Sequence, residues 1–309
     1  MTLSITRRNV VKALASVTAA VELKTLAAGQ TMYLALNSVL ISNRVPWPEF
    51  ARLAAKVGFP GTDVMLDSAM KAGAEATKDL LAELKLKSAV LNFPVEFRKD
   101  DAAFDASLSK LGETAEFASK IGCPRMMTYI MPSSNVPKEQ LVPIYKKRFT
   151  SSARVLAQSG LRLALEFLGP LHLRKAQPYE FIWRMNDMLA FTKECGPNVG
   201  LLLDSWHWHH AGATTQDIIN AGRERIVHVH FNDAPDLPPE QIRDNERLLP
   251  GEGVINLVGF LQALKKIGYR DALSVEVFGR LKNAPVEEAA KMALEASNGV
   301  FKKAGIATG

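Results

Sequence analysis

From residue 31 to the carboxyl end, the chain alternates short, nearly continuous apolar runs with longer stretches in which apolar side chains recur every three or four residues. The short runs read as strands buried on both faces and the longer ones as helices with a single apolar stripe. The strands are predicted over Met32 to Ser38, Thr62 to Leu66, Ser88 to Phe93, Arg125 to Ile130, Leu161 to Phe167, Val199 to Asp204, Ile226 to Phe231 and Ala272 to Phe278. Between them, Phe50, Leu53, Ala54 and Val57, or Phe260, Leu261, Leu264 and Ile267, share a helix face. Pro46-Trp47-Pro48-Glu49 and Thr214-Thr215-Gln216-Asp217 carry helix-start chemistry, while Gly58, Gly122, Gly160, Gly196 and Gly268 stand where left-handed helix ends precede a strand. Eight strand-helix units predict an α/β chain folded as one (β/α)8 TIM barrel over residues 31–309.

Composition agrees with a single core. The chain has 309 residues, 47% hydrophobic and 23% charged, with no Ser/Gly-rich linker between 31 and 309, which excludes a disordered or low-complexity protein. Cys123 and Cys195 are too few and too far apart for a disulfide framework or a Cys-rich metal site, and read as two buried thiols. No apolar stretch approaches the roughly 18 residues a membrane span requires. Arg7, Arg8, Lys12 and Lys24 against Glu22 put half of the +6 formal charge in the first thirty residues. The remainder forms no Lys/Arg stripe, so no nucleic-acid partner is expected.

The sequence Thr6-Arg7-Arg8-Asn9-Val10-Val11-Lys12, followed by the small apolar residues Ala13 to Ala20 and by Ala27-Ala28-Gly29, resembles a twin-arginine export signal. Residues 1–30 are therefore set apart from the fold, and the resemblance implies a periplasmic or exported protein. The other reading is an amphipathic leading helix on a cytoplasmic protein.

In a barrel of this kind chemistry gathers at the carboxyl ends of the strands. The last four apolar runs end alike: Leu163-Ala164-Leu165-Glu166, Leu201-Leu202-Leu203-Asp204, Val227-His228-Val229-His230 and Leu273-Ser274-Val275-Glu276. Acids are rarely buried alone, and three of them beside an imidazole would repel one another unless a cation lay between them. Oxygen-rich ligation with one nitrogen points to a single divalent ion, Mn²⁺ first, with Mg²⁺, Co²⁺ or Zn²⁺ as alternatives. His228 and His230 share a strand face, and His230 is preferred because it lies nearer the mouth. Asn37, Asn92 and Arg174 also fall near predicted strand mouths, and Trp206 or Trp208 can stack on a sugar ring. The long, Pro-rich segment 232–253 is the expected functional loop.

Read together, Glu166, Asp204-Ser205-Trp206-His207, His230-Phe231-Asn232-Asp233, and Leu249-Pro250-Gly251-Glu252-Gly253 leading to Glu276 resemble the sugar phosphate isomerase/epimerase superfamily, the barrels related to xylose isomerase. The resemblance implies that Glu166, Asp204, His230 and Glu276 hold the metal. It also implies that Glu166 and Glu276 form an acid/base pair and that His207, Arg247 and Asp63 contact the substrate. His172 stands where ketose 3-epimerases place a substrate-binding Glu, and is carried as a substrate-contact candidate together with Trp206. The expected activity is isomerisation or epimerisation of a free ketose or keto-sugar through an enediolate. Elimination from a keto-sugar or keto-glycoside by a lyase or dehydratase, through the same intermediate, is the alternative.

Two other functions compete. Relatives of this barrel cut abasic DNA with three zinc ions, but such a site needs histidines on early strands, and all six His of this chain lie at or beyond residue 172. A non-catalytic sugar-binding barrel would have no use for the carboxylate pair. The expected partner is a small carbohydrate, with homo-oligomerisation possible.

Overall fold

Eight parallel strands are hydrogen-bonded in a ring: β1 (Tyr33–Leu36), β2 (Gly61–Val64), β3 (Lys87–Asn92), β4 (Arg125–Ile130), β5 (Arg162–Phe167), β6 (Val199–Asp204), β7 (Ile226–Phe231) and β8 (Ala272–Val275). The ring closes where β1 pairs with β8, Leu36 opposite Val275. This arrangement comes from a computed structural model that describes residues 31–41 and 43–307. The export-signal reading falls on residues 1–30 and so lies outside the described residues.

The outer layer is α1 (Trp47–Val57), α2 (Ala74–Glu83), α3 (Leu111–Lys120), α4 (Lys138–Gln158), α5 (Met185–Cys195), α6 (Thr215–Ala221), α7 (Leu257–Lys266) and α8 (Val286–Lys303). Each turns its apolar stripe inward: α1 buries Trp47, Phe50, Ala51, Leu53 and Ala54, and α7 buries Phe260, Leu261 and Leu264. Helix ends follow local chemistry. Thr214 and Asp217 form a reciprocal capping box at the start of α6, and α1 stops at Gly58, whose φ of 100° a side chain would strain. Gly196 is an exception to the predicted left-handed ends, closing α5 with φ 151° and ψ 163°. No helix among the described residues is long and apolar enough to cross a membrane.

Strand periodicity places the site. Side chains two residues apart share a face, and residues paired between adjacent strands share it too. Ala164 therefore lies beneath Glu166, Leu202 beneath Asp204, His228 beneath His230 and Ser274 beneath Glu276, with Tyr129 paired to Glu166 and His230 to Asp204. Of the lower residues, Ala164, Leu202 and Ser274 are apolar or small and His228 is buried against Ser274, while the ionisable ones above form the upper layer. Strand ends depart from the sequence reading: β1 stops at Leu36 and β2 at Val64, with Ser38 and Leu66 already in short helices. Strand β8 ends at Val275, not Phe278, because the chain leaves the ladder once Val275 has paired with Phe231 and Leu36, so Glu276 is already in the loop. A two-residue antiparallel pair, Ser133–Ser134 with Tyr179–Glu180, links the β4 and β5 loops and is too short to leave a periodic signal. Cys123 and Cys195 are buried free thiols, as read from the sequence.

The opposite end of the barrel is held by Arg125, buried, whose guanidinium donates to the Val227 carbonyl at 2.7 Å and pairs with Asp271 at 2.5 Å. Packing between strands is closest at Gly200, where a Cβ would sit 2.5 Å from the Arg225 carbonyl oxygen and 2.7 Å from Val227 Cγ2. Gly200→Ala is therefore expected to cost about 1–3 kcal/mol through overpacking. Gly112, in α3 with open space around it, is expected to gain about 0.5–1 kcal/mol as Ala. Thermal denaturation of the two variants checks both signs.

Candidate active site

The four strand-end residues meet. One donor atom from each of Glu166, Asp204, His230 and Glu276 lies within 4.8 Å of those from the other three, and all four residues are buried. His230 Nδ1 is the centre of the group, 3.0 Å from Glu276 Oε2, 3.3 Å from Glu166 Oε1 and 3.7 Å from Asp204 Oδ2. Glu166 Oε1 and both His230 nitrogens are buried without a hydrogen-bond partner. Buried polar atoms left in this way, aimed at one point by three acids and an imidazole, suit a divalent cation.

The electrostatics show how strained the cluster is without one. Burial pushes the Glu166 carboxyl from its ordinary 4.5 up to about 7, and likewise Asp63 from 3.8 to about 7. Burial, the largest influence, would also raise Asp204, but the Arg247 guanidinium together with His230 and His207 outweighs it and holds that carboxyl well below its usual range. His230 is buried too, yet the Glu276 carboxylate and the other acids around it keep its pKa well above that of a free imidazole.

Arg247 is buried among the acids of the site. Its Nη1 donates to Asp204 Oδ2 at 2.7 Å and to Glu276 Oε2 at 2.9 Å, and Nη2 donates to Asp244 Oδ1 at 2.9 Å. A guanidinium can only donate, so His207 Nε2, 3.1 Å from Nη2, accepts from it as a neutral ring, while Nδ1 faces the Gly169 backbone N–H at 3.4 Å. Burial lowers the His207 pKa, in keeping with that neutral ring. Arg247 still borders the cavity, as do His207, Asp63, Asn37 and Asn92.

Three sequence candidates are displaced. His172 sits in the short helix Leu171–Arg174, next to Ile242 and Asp244 of the long loop, and does not line the cavity. Trp206 is fully buried behind Arg247 with its ring edge on His210, so it packs the loop and stacks on no ligand. Arg174 lies over the Trp183 ring, 3.9 Å from its centroid. Each reading came from position in the chain, which does not specify the direction a side chain takes after a strand ends. Trp208 likewise packs, against Phe260, with its Nε1 donating to Thr214.

The supporting residues had no role in the sequence reading. Asn232 Nδ2 donates to both Asp204 oxygens, at 3.1 and 3.2 Å, and to the Glu276 carbonyl at 3.1 Å, while Ser205 fixes Asn232 in turn. Asp233, buried, accepts from the backbone N–H groups of Ala234, Gly251, Gly253 and Ile255 at 2.8–3.0 Å. It thereby clamps the segment that delivers Asp244 and Arg247. Gly253 is required there, since a Cβ would lie 2.1 Å from the Ala234 carbonyl oxygen. Below Glu276, Ser274 Oγ donates to Asp63 at 2.5 Å and lies 3.0 Å from His228 Nε2. The visible signal for the Asn232-Asp233 pair was its adjacency to His230.

Two measurements follow. Asp233→Ala orphans the N–H groups of buried Ala234 and Ile255 at about 1–3 kcal/mol each and frees those of Gly251 and Gly253, so residues 234–255 should lose hydrogen-exchange protection ahead of the barrel strands. In chelator-treated protein, Glu166 must ionise while buried, and the folded state binds its proton more tightly than the unfolded chain between pH 4.5 and about 7. Stability should thus fall as pH rises through that window, and the fall should be smaller in Glu166→Gln, as read by Tm against pH.

A family model for the Xylose isomerase-like TIM barrel matches residues 45–298. An inosose isomerase from Bacillus velezensis is 27% identical over 222 residues, covering 71% of this chain and 77% of that protein. A 3-dehydroshikimate dehydratase from Pseudomonas aeruginosa is 33% identical over 124 residues, 40% of this chain and 18% of that protein. Among solved structures, a xylose isomerase domain protein from Alicyclobacillus acidocaldarius superimposes with a TM-score of 0.82 at 29% identity, covering 89% of this chain and all of that one. The IOLI protein with a bound zinc atom gives a TM-score of 0.76 at 23% identity, over 88% and 99% of the two chains. With eight closed parallel strands, four converging donors and a match across most of its length, the chain belongs to the xylose isomerase-like TIM barrel family.

Proposed function

We propose that this protein is a divalent-metal-dependent isomerase or epimerase of a free ketose or keto-sugar, acting through an enediolate. Glu166, Asp204, His230 and Glu276 are the proposed ligands, with Glu166 and Glu276 also the acid/base pair. One observation carries the reading: the two glutamates, from β5 and just past β8, approach the same imidazole nitrogen, at 3.3 and 3.0 Å, on the floor of an open cavity. The donor chemistry favours Mn²⁺, and the zinc of one structural relative keeps Zn²⁺ in view. When bound, the ion supplies a Lewis acid for adjacent carbonyl and hydroxyl oxygens of the sugar.

The chain's own groups do the rest. One glutamate takes the proton from the carbon next to the carbonyl, and the pair returns it to the neighbouring carbon for isomerisation or to the opposite face for epimerisation. Arg247 pairs with Asp204 and Glu276, and its link to His207 fixes that ring at the cavity wall. Asp63 has one carboxylate oxygen, Oδ2, buried and unpartnered, ready to accept from a sugar hydroxyl; Asn37 and Asn92 stand beside the same cavity. The inosose isomerases among its relatives support isomerisation. Elimination is the second reading, favoured by the shorter dehydratase match: a leaving group β to the carbonyl would be expelled from the same enediolate. An exported or periplasmic location rests on the first thirty residues.

Metal analysis should return one divalent ion per chain, and His230→Ala should lose it. In deuterated water, NMR of the metal-loaded protein with a panel of ketoses and keto-sugars should show exchange of a single C–H. Glu166→Gln and Glu276→Gln should each slow that exchange by about 100-fold or more. Exchange at undiminished rate in both variants, or none with any sugar, sinks the proposal.

A further inference from the structure

The cavity above the four ligands measures about 930 Å³. That is at the top of the roughly 300–1,000 Å³ range that encloses a drug-sized molecule, and more than one sugar ring fills. Its two sides differ in chemistry. Asn37, Asp63, Arg247 and Glu276 make the wall nearest β8, β1 and β2 polar, and the reacting sugar has its hydroxyl partners there. The wall above β3, β4 and β5 is mainly apolar, with Phe93, Met127, the Tyr129 ring, Met131, Leu168 and Leu173 outnumbering Asn92, Arg98 and Thr128.

Tyr129 is the informative residue of that wall. It pairs in register with Glu166, so its side chain leaves the barrel on the same face and one strand away, about 4.8 Å, from half of the acid/base pair. Its ring is 46% exposed although it borders the cavity, which excludes a packing role for the open part. It is also held in place. The Arg98 guanidinium lies 4.2 Å from the centroid of Tyr129 and 4.2 Å from that of buried Phe97, and Arg98 also donates to the Tyr129 carbonyl. A cation sandwiched between two rings fixes the outer ring as a flat, rigid and unoccupied platform at the cavity rim. A platform already immobilised loses little entropy when a ring settles on it.

We propose that Tyr129, braced by Arg98 and Phe97, is the floor of a second binding subsite that takes a planar or ring-shaped substituent attached to the reacting sugar. The natural substrate is accordingly a keto-glycoside, with a second sugar or an aromatic aglycone stacked on Tyr129, in place of a free monosaccharide. This rests on the enediolate reading above and narrows its substrate class. Polar wall and metal ligands hold the ring that loses the proton; the apolar wall holds what is joined to it. Arg98 is a positioning residue, acting through the Tyr129 ring.

The test uses metal-loaded full-length protein, a 3-keto-aldohexose and its phenyl glycoside at C1, in which the C3 carbonyl stays free, with C–H exchange in deuterated water as the rate. The phenyl glycoside should exceed the free sugar in kcat/KM by about tenfold or more. That ratio should fall about tenfold in Tyr129→Ala, through KM, and be retained in Tyr129→Phe, which keeps the stack. In parallel, saturation-transfer NMR with unreactive phenyl glucoside should mark the phenyl protons, and the mark should disappear in Tyr129→Ala. Equal kcat/KM for the two sugars, or a ratio and a phenyl signal that both survive Tyr129→Ala, overturns the subsite. No exchange with either sugar, while the phenyl signal still depends on Tyr129, overturns the enediolate reading and leaves the subsite standing.

Discussion

The structure turns on a charge problem: three carboxylates and an imidazole, all buried, brought within a few ångströms of one another at the top of a β-barrel. Such a cluster is unfavourable by itself, because desolvation and mutual repulsion both act against ionised acids. The protein answers in two ways. One carboxyl, Glu166, is pushed toward its protonated form, and another, Asp204, is kept ionised by Arg247. That leaves His230 among oxygens with no hydrogen-bond partner of its own, a set of donors incomplete without a cation.

The loop between β7 and α7 matters because it carries the counter-charge. Arg247 lies seventeen residues beyond His230 in the chain, yet its guanidinium spans Asp204, Glu276 and Asp244. A segment of that length has no fixed course unless its backbone is tied down, and Asp233 does this by accepting four N–H groups from both of its ends. Asn232, one residue earlier, ties Asp204 to the Glu276 backbone. Two adjacent side chains therefore hold the ligands on one side and the neutralising arginine on the other.

The cavity above the ligands divides the labour in the same spirit. Hydrogen-bonding groups predominate on the side where strands β8, β1 and β2 end, and apolar groups on the side of β3, β4 and β5. A carbohydrate oriented by the first would present its carbon skeleton, and anything attached to it, to the second. Proton transfer at one carbon requires such one-sided holding, since a ring free to turn would present both faces to each carboxylate.

Much of this was legible in the residues alone. The eight strands and their helices follow from apolar periodicity, a local property that depends only on which side chains must leave water. The four converging donors were visible for the same reason: each ends an apolar run at the carboxyl end of a strand, and a closed barrel brings such ends together. Whatever lay beyond the strand ends was not. His172 and Trp206 looked like cavity residues by position and face elsewhere, and Arg247 is engaged by the acids themselves. Asn232, Asp233 and Ser274 have their roles through partners up to 211 residues distant in the chain, and Tyr129 is set apart by its exposure and its stack on Arg98. Periodicity is written into neighbouring residues, whereas the direction of a loop side chain is decided by groups that only folding brings within hydrogen-bond distance.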